Sequence, residues 1–210
     1  MPLRICHVTP HLPPDQAANA LLPYHLGCWA RAAGDEPCYL AHPARQAPGR
    51  PPGVDLPGPV TWIEPHRPGR SILRHLRLGS LVAARGIART GGPAVDGADL
   101  VHVHSNGLLP EFCGRLAVRR RKPVVLTLYG TEIWHYRPKR FGDLFTALYE
   151  SASAITFYSR GLMDRALEFG LGRENLHVVY PPIADEFRRA DCEEQAAARR
   201  QLGIRASRLL

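Results

Sequence analysis

Apolar and polar positions follow two rhythms along this chain: short apolar runs such as LVHVH and VVLTL, and longer stretches with apolar residues at helical spacing. The first rhythm predicts strands over residues 4–9, 38–42, 60–63, 100–104, 124–128, 154–158 and 176–180. The second predicts helices over residues 21–33, 71–89, 109–121, 144–151, 161–169 and 193–202. Pro23 suits a first helical turn, Ser71 an N-cap, and Gly34, Gly170 and Gly203 helix stops, while Gly91-Gly92-Pro93 reads as a helix break. Strand and helix alternate, so the fold class is α/β with a mostly parallel sheet covered by helices on both faces. Residues 43–69 gather proline and glycine and read as a long surface loop or lid.

The βαβ unit from Leu100 to Trp134 ends its second strand in Tyr129-Gly130-Thr131-Glu132. Open parallel sheets place ligands beyond the carboxyl ends of their strands, so a glycine and three polar residues delivered there form the first candidate site.

With 210 residues, 45% hydrophobic and 22% charged, the chain can bury a core and make one large domain, or one domain and the start of another. Lys and Arg exceed Asp and Glu by eight, which favours phosphates, nucleic acid or an anionic membrane surface as partners. On a helical projection Arg70, Arg74, Arg77, Arg85 and Arg89 share one arc, and Ile72, Leu73, Leu76, Ala83 and Ile87 lie opposite. That arrangement fits a surface helix packed on a sheet; it also fits docking onto anionic lipid or a phosphate-bearing acceptor. Arg119-Arg120-Arg121-Lys122 ends a helix, where cations complement carbonyl groups, and no aromatic residues interleave them as nucleic-acid binding would require. The five scattered cysteines include no CxxC pair and fit a reducing, cytoplasmic setting. MPLRICHVTP passes directly into polar turn residues, so a secretory signal is not expected, and no run reaches the ~20 apolar residues of a membrane span.

Dinucleotide binding calls for G-x-G-x-x-G after the first strand, and that place holds Pro10 to Asn19 without a glycine. A P-loop and a G-x-S-x-G elbow are also absent. His102 and His104 share one strand face, which permits a metal pair, but hydrogen bonding to neighbouring loops is the stronger reading, since no third ligand lies nearby in sequence.

ICHVTPHLPPDQAANALLP, ADLVHVHS, PVVLTLYGTEIW and AITFYSRGLMDRALEFGLGRENLHVVYPPIADEFRR, read in order, resemble the N-terminal domain of a GT-B glycosyltransferase of family 4. The resemblance covers nearly the whole chain. It implies a Rossmann-like three-layer domain over residues 1–187, one half of a GT-B fold that binds the acceptor across a cleft from a donor-binding half. Residues 188–210 then resemble a linker helix and the start of that second domain. The implied reaction transfers a sugar from a nucleotide-sugar to an acceptor hydroxyl with retention, in the cytoplasm or at the periphery of a membrane, with no metal or other cofactor. The competing class is a non-catalytic module that binds a glycan or a lipid-linked acceptor.

Many members of the family carry Gly-Gly in the loop after the first strand, where this chain has Ala17-Ala18, so direct backbone contact with phosphate is less favoured and Gln16 and Asn19 become the donors. Tyr129 stands where the family often has histidine, and with an ordinary pKa of about 10 it is a poor base. Glu132 is the candidate for orienting the acceptor or stabilising an oxocarbenium ion, with helix capping as its structural alternative. The expected catalytic pair is therefore Tyr129 and Glu132. Gly130, Thr131, His11, Gln16, Ala17, Ala18, Asn19, Asn106 and Ser159 are the expected substrate-binding residues.

Overall fold

The computed structural model describes residues 1–15, 17–43, 55–65, 79–138, 142–181 and 188–204. The strands are β1 (Arg4–Val8), β2 (Glu36–Ala41), β3 (Val60–Trp62), β4 (Leu100–His104), β5 (Val124–Leu128), β6 (Ala154–Phe157) and β7 (Leu176–Val178). They form a single sheet in the order β3-β2-β1-β4-β5-β6-β7, with every pairing parallel. The helices are α1 (Ala18–Ala32), α2 (Gly79–Gly97), α3 (Leu108–Arg119), α4 (Thr131–Trp134), α5 (Leu144–Ser151), α6 (Arg160–Glu168) and α7 (Cys192–Gln201).

Alternation of side chains along each strand divides the sheet into two unlike faces. Cys6, Val8, Leu40, Val101, Val103, Leu126, Leu128, Ile155 and Phe157 all point to one of them. There they pack with Ile87 and Val95 of α2, Leu109 and Cys113 of α3, Leu148 and Tyr149 of α5, and Leu162 and Ala166 of α6. The opposite face carries His7, Tyr39, His102, Thr127 and Thr156. Near β2 it packs around Leu12, Tyr39 and Ala41. The expected cover on both faces is therefore uneven, because His102, Val125, Ala154 and Thr156 on this second face stay only partly buried.

Two helices depart from their expected limits for physical reasons. α1 starts at Ala18, so Pro23 lies inside the helix and not in its first turn. Proline has no N–H to offer the Asn19 carbonyl four residues earlier, and the Thr9 hydroxyl donates to that carbonyl instead. α2 runs through Gly91-Gly92-Pro93, which were expected to break it. A Cβ at Gly91 would stand 3.2 Å from Leu40 Cδ1 and 3.3 Å from Ile63 Cδ1, so glycine here permits close helix–sheet packing. The expected start of α2 at Ser71 lies outside the described residues, as do Arg70, Arg74, Arg77, Ile72, Leu73, Leu76 and most of the 43–69 loop. α7 opens on a capping box of Asp191 and Glu194 and buries none of its residues. The expected domain limit at 187 falls within residues 182–187, outside the described ones.

Gly27 seats α1 on β2. Tyr39 Oη donates to the Pro23 carbonyl at 3.3 Å, and a Cβ on Gly27 would lie 1.6 Å from that same oxygen. Gly27→Ala is expected to destabilise the fold by about 1–3 kcal/mol, the usual penalty of overpacking. Urea melts would show it, and adding Tyr39→Phe, which removes the clashing oxygen, should recover part of the loss.

Candidate active site

Strand order reverses between β1 and β4, the place where doubly wound sheets open a crevice beyond their carboxyl ends. Thr9, immediately after β1, is fully buried, and its hydroxyl lies within reach of the carbonyls of His11, at 3.1 Å, and Asn19. These contacts fold the β1–α1 loop back on itself. Within the loop His11 Nδ1 and Asp15 Oδ2 lie 2.9 Å apart. Ala17 and Ala18 are exposed at the helix start, Asn19 is half-buried, and Gln16 lies outside the described residues. After β4, Ser105 takes a left-handed backbone (φ +68°) while its N–H donates to the Thr127 carbonyl, which sends the exposed Asn106 away from the sheet.

Parallel pairing of β1 with β4 sets His7 opposite His102. His7 is the third histidine that reading near neighbours in the sequence misses. His7 Nδ1 lies 3.0 Å from His104 Nε2, and His104 Nδ1 lies 2.7 Å from Tyr129 Oη. His102 Nε2 lies 2.7 Å from Thr127 Oγ1, which lies 2.7 Å from Thr156 Oγ1, so a polar row crosses three strands. Burial lowers the pKa of all three imidazoles, to about 4 for His102 and well below the ordinary 6.5 for His7 and His104. The three bring ligand nitrogens within 4.8 Å of one another, the number a metal centre needs. Yet both nitrogens of His104 are already engaged, and its ring lies only 4.0 Å from that of His102 at 32°, close to stacking. As they stand the three form a hydrogen-bonded network, and a cation binding all of them would have to replace the His7–His104 bond.

Tyr129 leads from β5 into Gly130, whose backbone (φ +154°, ψ −66°) favours glycine, and Gly130 starts the single turn of α4. Glu132 is almost fully buried at 3% exposure. Its Oε2 accepts the Gly130 N–H at 2.8 Å, and its Oε1 has no partner among the described residues. The cap and the free carboxylate oxygen therefore coexist in one side chain. Thr131 is exposed, and Trp134, also exposed, sets its indole edge against Gly130. Tyr158, after β6, meets the Tyr129 ring edge-on at 4.8 Å and buries its hydroxyl beside that of Tyr129, with no well-formed hydrogen bond among the described residues. Ser159 caps α6 by accepting the Leu162 N–H, a local structural use of that candidate. Burial raises the Tyr129 pKa well above 10, which leaves the phenol protonated at neutral pH.

Four buried polar groups without partners thus sit around the carboxyl ends of β1, β5 and β6: His7 Nε2, Asn19 Oδ1, Glu132 Oε1 and Tyr158 Oη. Among the described residues only Arg165 Nε and Asn175 Oδ1 share this state elsewhere, and native interiors leave few such groups unsatisfied, so those at Asn19, Glu132 and Tyr158 mark a ligand-facing region. His7 and Tyr158 are the members that sequence reasoning did not single out. The basic residues behave otherwise. Arg120 pairs with Asp96 at 3.4 Å and Lys122 donates to the Ala98 carbonyl, both structural uses, while Arg85 and Arg89 are exposed on α2, with Ala83 and Ile87 of the same helix buried. No helix among the described residues is long and apolar enough to cross a membrane.

The doubly wound parallel sheet makes this a Rossmann-like α/β domain, and its likeness to solved structures makes it one half of a GT-B fold. Residues 24–187 match the model of Glycosyltransferase Family 4, and the chain belongs to that family, as its N-terminal domain. No curated protein sequence matches it. Among solved structures it is similar to Anabaena Alr3699/HepE in complex with UDP, with 17% identity and a TM-score of 0.57 over 96% of this chain and 50% of that one. It is also similar to Acinetobacter baumannii MurG, with 13% identity and a TM-score of 0.54 over 90% and 50%. The UDP-N-acetylglucosamine 2-epimerase of Rickettsia bellii gives 8% identity and a TM-score of 0.55 over 86% and 45%. The chain spans about half the length of these proteins, and at such identities the likeness is one of fold.

Proposed function

We propose that this chain is the acceptor-side half of a retaining glycosyltransferase that moves a hexose from a nucleotide-sugar to an acceptor hydroxyl. The observation that carries the reading is the set of buried polar groups Asn19 Oδ1, Glu132 Oε1 and Tyr158 Oη, without hydrogen-bond partners among the described residues, at the carboxyl ends of β1, β5 and β6. Family membership supports transfer chemistry, and the structures of Alr3699/HepE with UDP and with UDP and glucose support a nucleotide-sugar as donor. In this reading residues 1–187 are the working domain, residues 188–210 lead into a donor-binding half, and the 210-residue half alone is inactive. Glu132 orients the acceptor or stabilises the developing oxocarbenium ion, and Tyr129 contacts substrate as a protonated phenol. Gly130, Thr131, His11, Ala17, Ala18 and Asn19 line the same wall, Asn106 and Ser159 stand beside it, and Gln16 is a further substrate-binding candidate from the sequence alone. The nucleotide-sugar is a co-substrate, and the chemistry needs no metal.

The test uses the protein at its native length, isolated from its source, with UDP-glucose and UDP-N-acetylglucosamine and a panel of sugar acceptors. Acceptor-dependent release of UDP supports the proposal; binding of glycans without consumption of donor would favour the non-catalytic module. The proposal also places the protein in the cytoplasm at the periphery of a membrane, with the α2 arginines facing lipid. Vesicles rich in anionic lipid are then expected to bind it more tightly than neutral ones, with Arg85→Gln and Arg89→Gln weakening binding by about 1 kcal/mol each. Equal binding to both kinds of vesicle dismisses the membrane contact.

A further inference from the structure

Tyr129, His104 and His7 form one hydrogen-bonded line running inward from the site, with contacts of 2.7 Å and 3.0 Å. Their rings lie nearly parallel along it, at 12° between Tyr129 and His104 and 25° between His104 and His7. Both imidazoles are buried and neutral, so each has one N–H and one lone pair, and the line has only two consistent directions. In the inward direction the Tyr129 hydroxyl donates to His104 Nδ1 and His104 Nε2–H donates to His7 Nδ1. His7 Nε2–H is then a buried donor with no acceptor among the described residues. In the outward direction His7 Nδ1–H donates to His104 Nε2, and His104 Nδ1–H donates to the Tyr129 oxygen. Only a lone pair is then unsatisfied at His7 Nε2, and the Tyr129 proton points away from the line, on the side of the Tyr158 hydroxyl, which can accept it until a substrate oxygen takes its place. Orphaned buried N–H groups are the rarer defect in native proteins, which favours the outward direction.

We propose that His104 and His7 are positioning residues that turn the Tyr129 hydroxyl proton outward, so that Tyr129 meets bound substrate as a hydrogen-bond donor to one of its oxygens. The direction of the line is a property of this chain alone; only the identity of the substrate rests on the glycosyl-transfer reading. The two histidines touch no substrate and act through Tyr129. Their own contribution is the tautomer each one holds.

Imidazole nitrogen NMR on the ¹⁵N-labelled 210-residue chain at neutral pH separates the two directions without any ligand. The expected result is Nδ1–H at both His7 and His104, and Nε2–H at either of them overturns the proposal. A second measurement follows UDP release by the native-length enzyme from UDP-glucose. Tyr129→Phe is expected to lower kcat about tenfold, the scale of one hydrogen bond to a substrate oxygen. His104→Leu should do the same, whereas His104→Asn, whose amide can still donate to Tyr129, should retain most of the activity. Tyr129→Phe with His104→Leu should be no slower than Tyr129→Phe alone, and a full additional loss in the double variant would falsify action through Tyr129. If the wild-type enzyme releases no UDP, the glycosyl-transfer reading fails while the tautomers still decide the proposal.

Discussion

Glu132→Gln in the native-length enzyme is expected to lower turnover about 10²-fold, the scale of losing one preorganised electrostatic group, while leaving the melting temperature nearly unchanged. The separation of the two effects follows from how the carboxylate is divided. Its Oε2 accepts the Gly130 N–H at 2.8 Å, a bond that an amide oxygen can keep. Its Oε1 has no partner among the described residues, and it is this second oxygen whose acceptor capacity the substitution removes. Glu132→Ala should behave differently, because it also strips the cap from a turn built on a glycine-dependent backbone and so lowers stability as well. UDP release and thermal melts on the same samples distinguish these outcomes. Unchanged turnover in Glu132→Gln would remove Glu132 from the chemistry and leave it a capping residue.

The division at Glu132 also shows how far the sequence could be read. Within the unit from Leu100 to Leu128 both strands were legible to the residue and α3 to within two, because β4 and β5 are short runs rich in apolar residues in the middle of a parallel sheet, and Pro123 punctuates the entry to β5. Capping by Glu132 was legible too, since the bond spans two residues. Misplaced elements share a different cause. The pattern Gly91-Gly92-Pro93 has poor helix propensity, and what keeps it helical is contact with Leu40 and Ile63, residues remote in sequence. Pro23 is harmless inside α1 because Thr9 supplies the donor that proline lacks.

His7 was missed for the same reason. Its partner lies 97 residues away, and only the β1–β4 pairing brings the two together. The signal was nonetheless present in a weaker form. In the doubly wound order β1 lies beside β4, and a histidine near the end of β1 then faces the H-x-H of β4 whenever the register matches. Local chemistry was therefore readable from local sequence, and the network required topology.

That network makes acid the condition to which the fold should be most sensitive. His7, His102 and His104 have pKa values below 6.5 in the folded chain, His102 at about 4, because burial disfavours their charged forms. Between those limits the unfolded chain binds protons that the folded chain does not, so the free energy of unfolding rises with pH. Stability from this source is complete above about pH 6.5 and is lost as the pH falls towards 4. For His102 alone the interval is worth about 3 kcal/mol, and His7 and His104 add to it, against a total of roughly 5–15 kcal/mol for a typical domain. Urea midpoints are expected to fall steeply between pH 7 and pH 5, with acid unfolding near the lower end. His102→Gln should flatten the slope by nearly one proton. A midpoint that holds constant across this range would mean that the imidazoles are charged or solvated in the folded chain, and the neutral network on which the outward-facing Tyr129 depends would not exist.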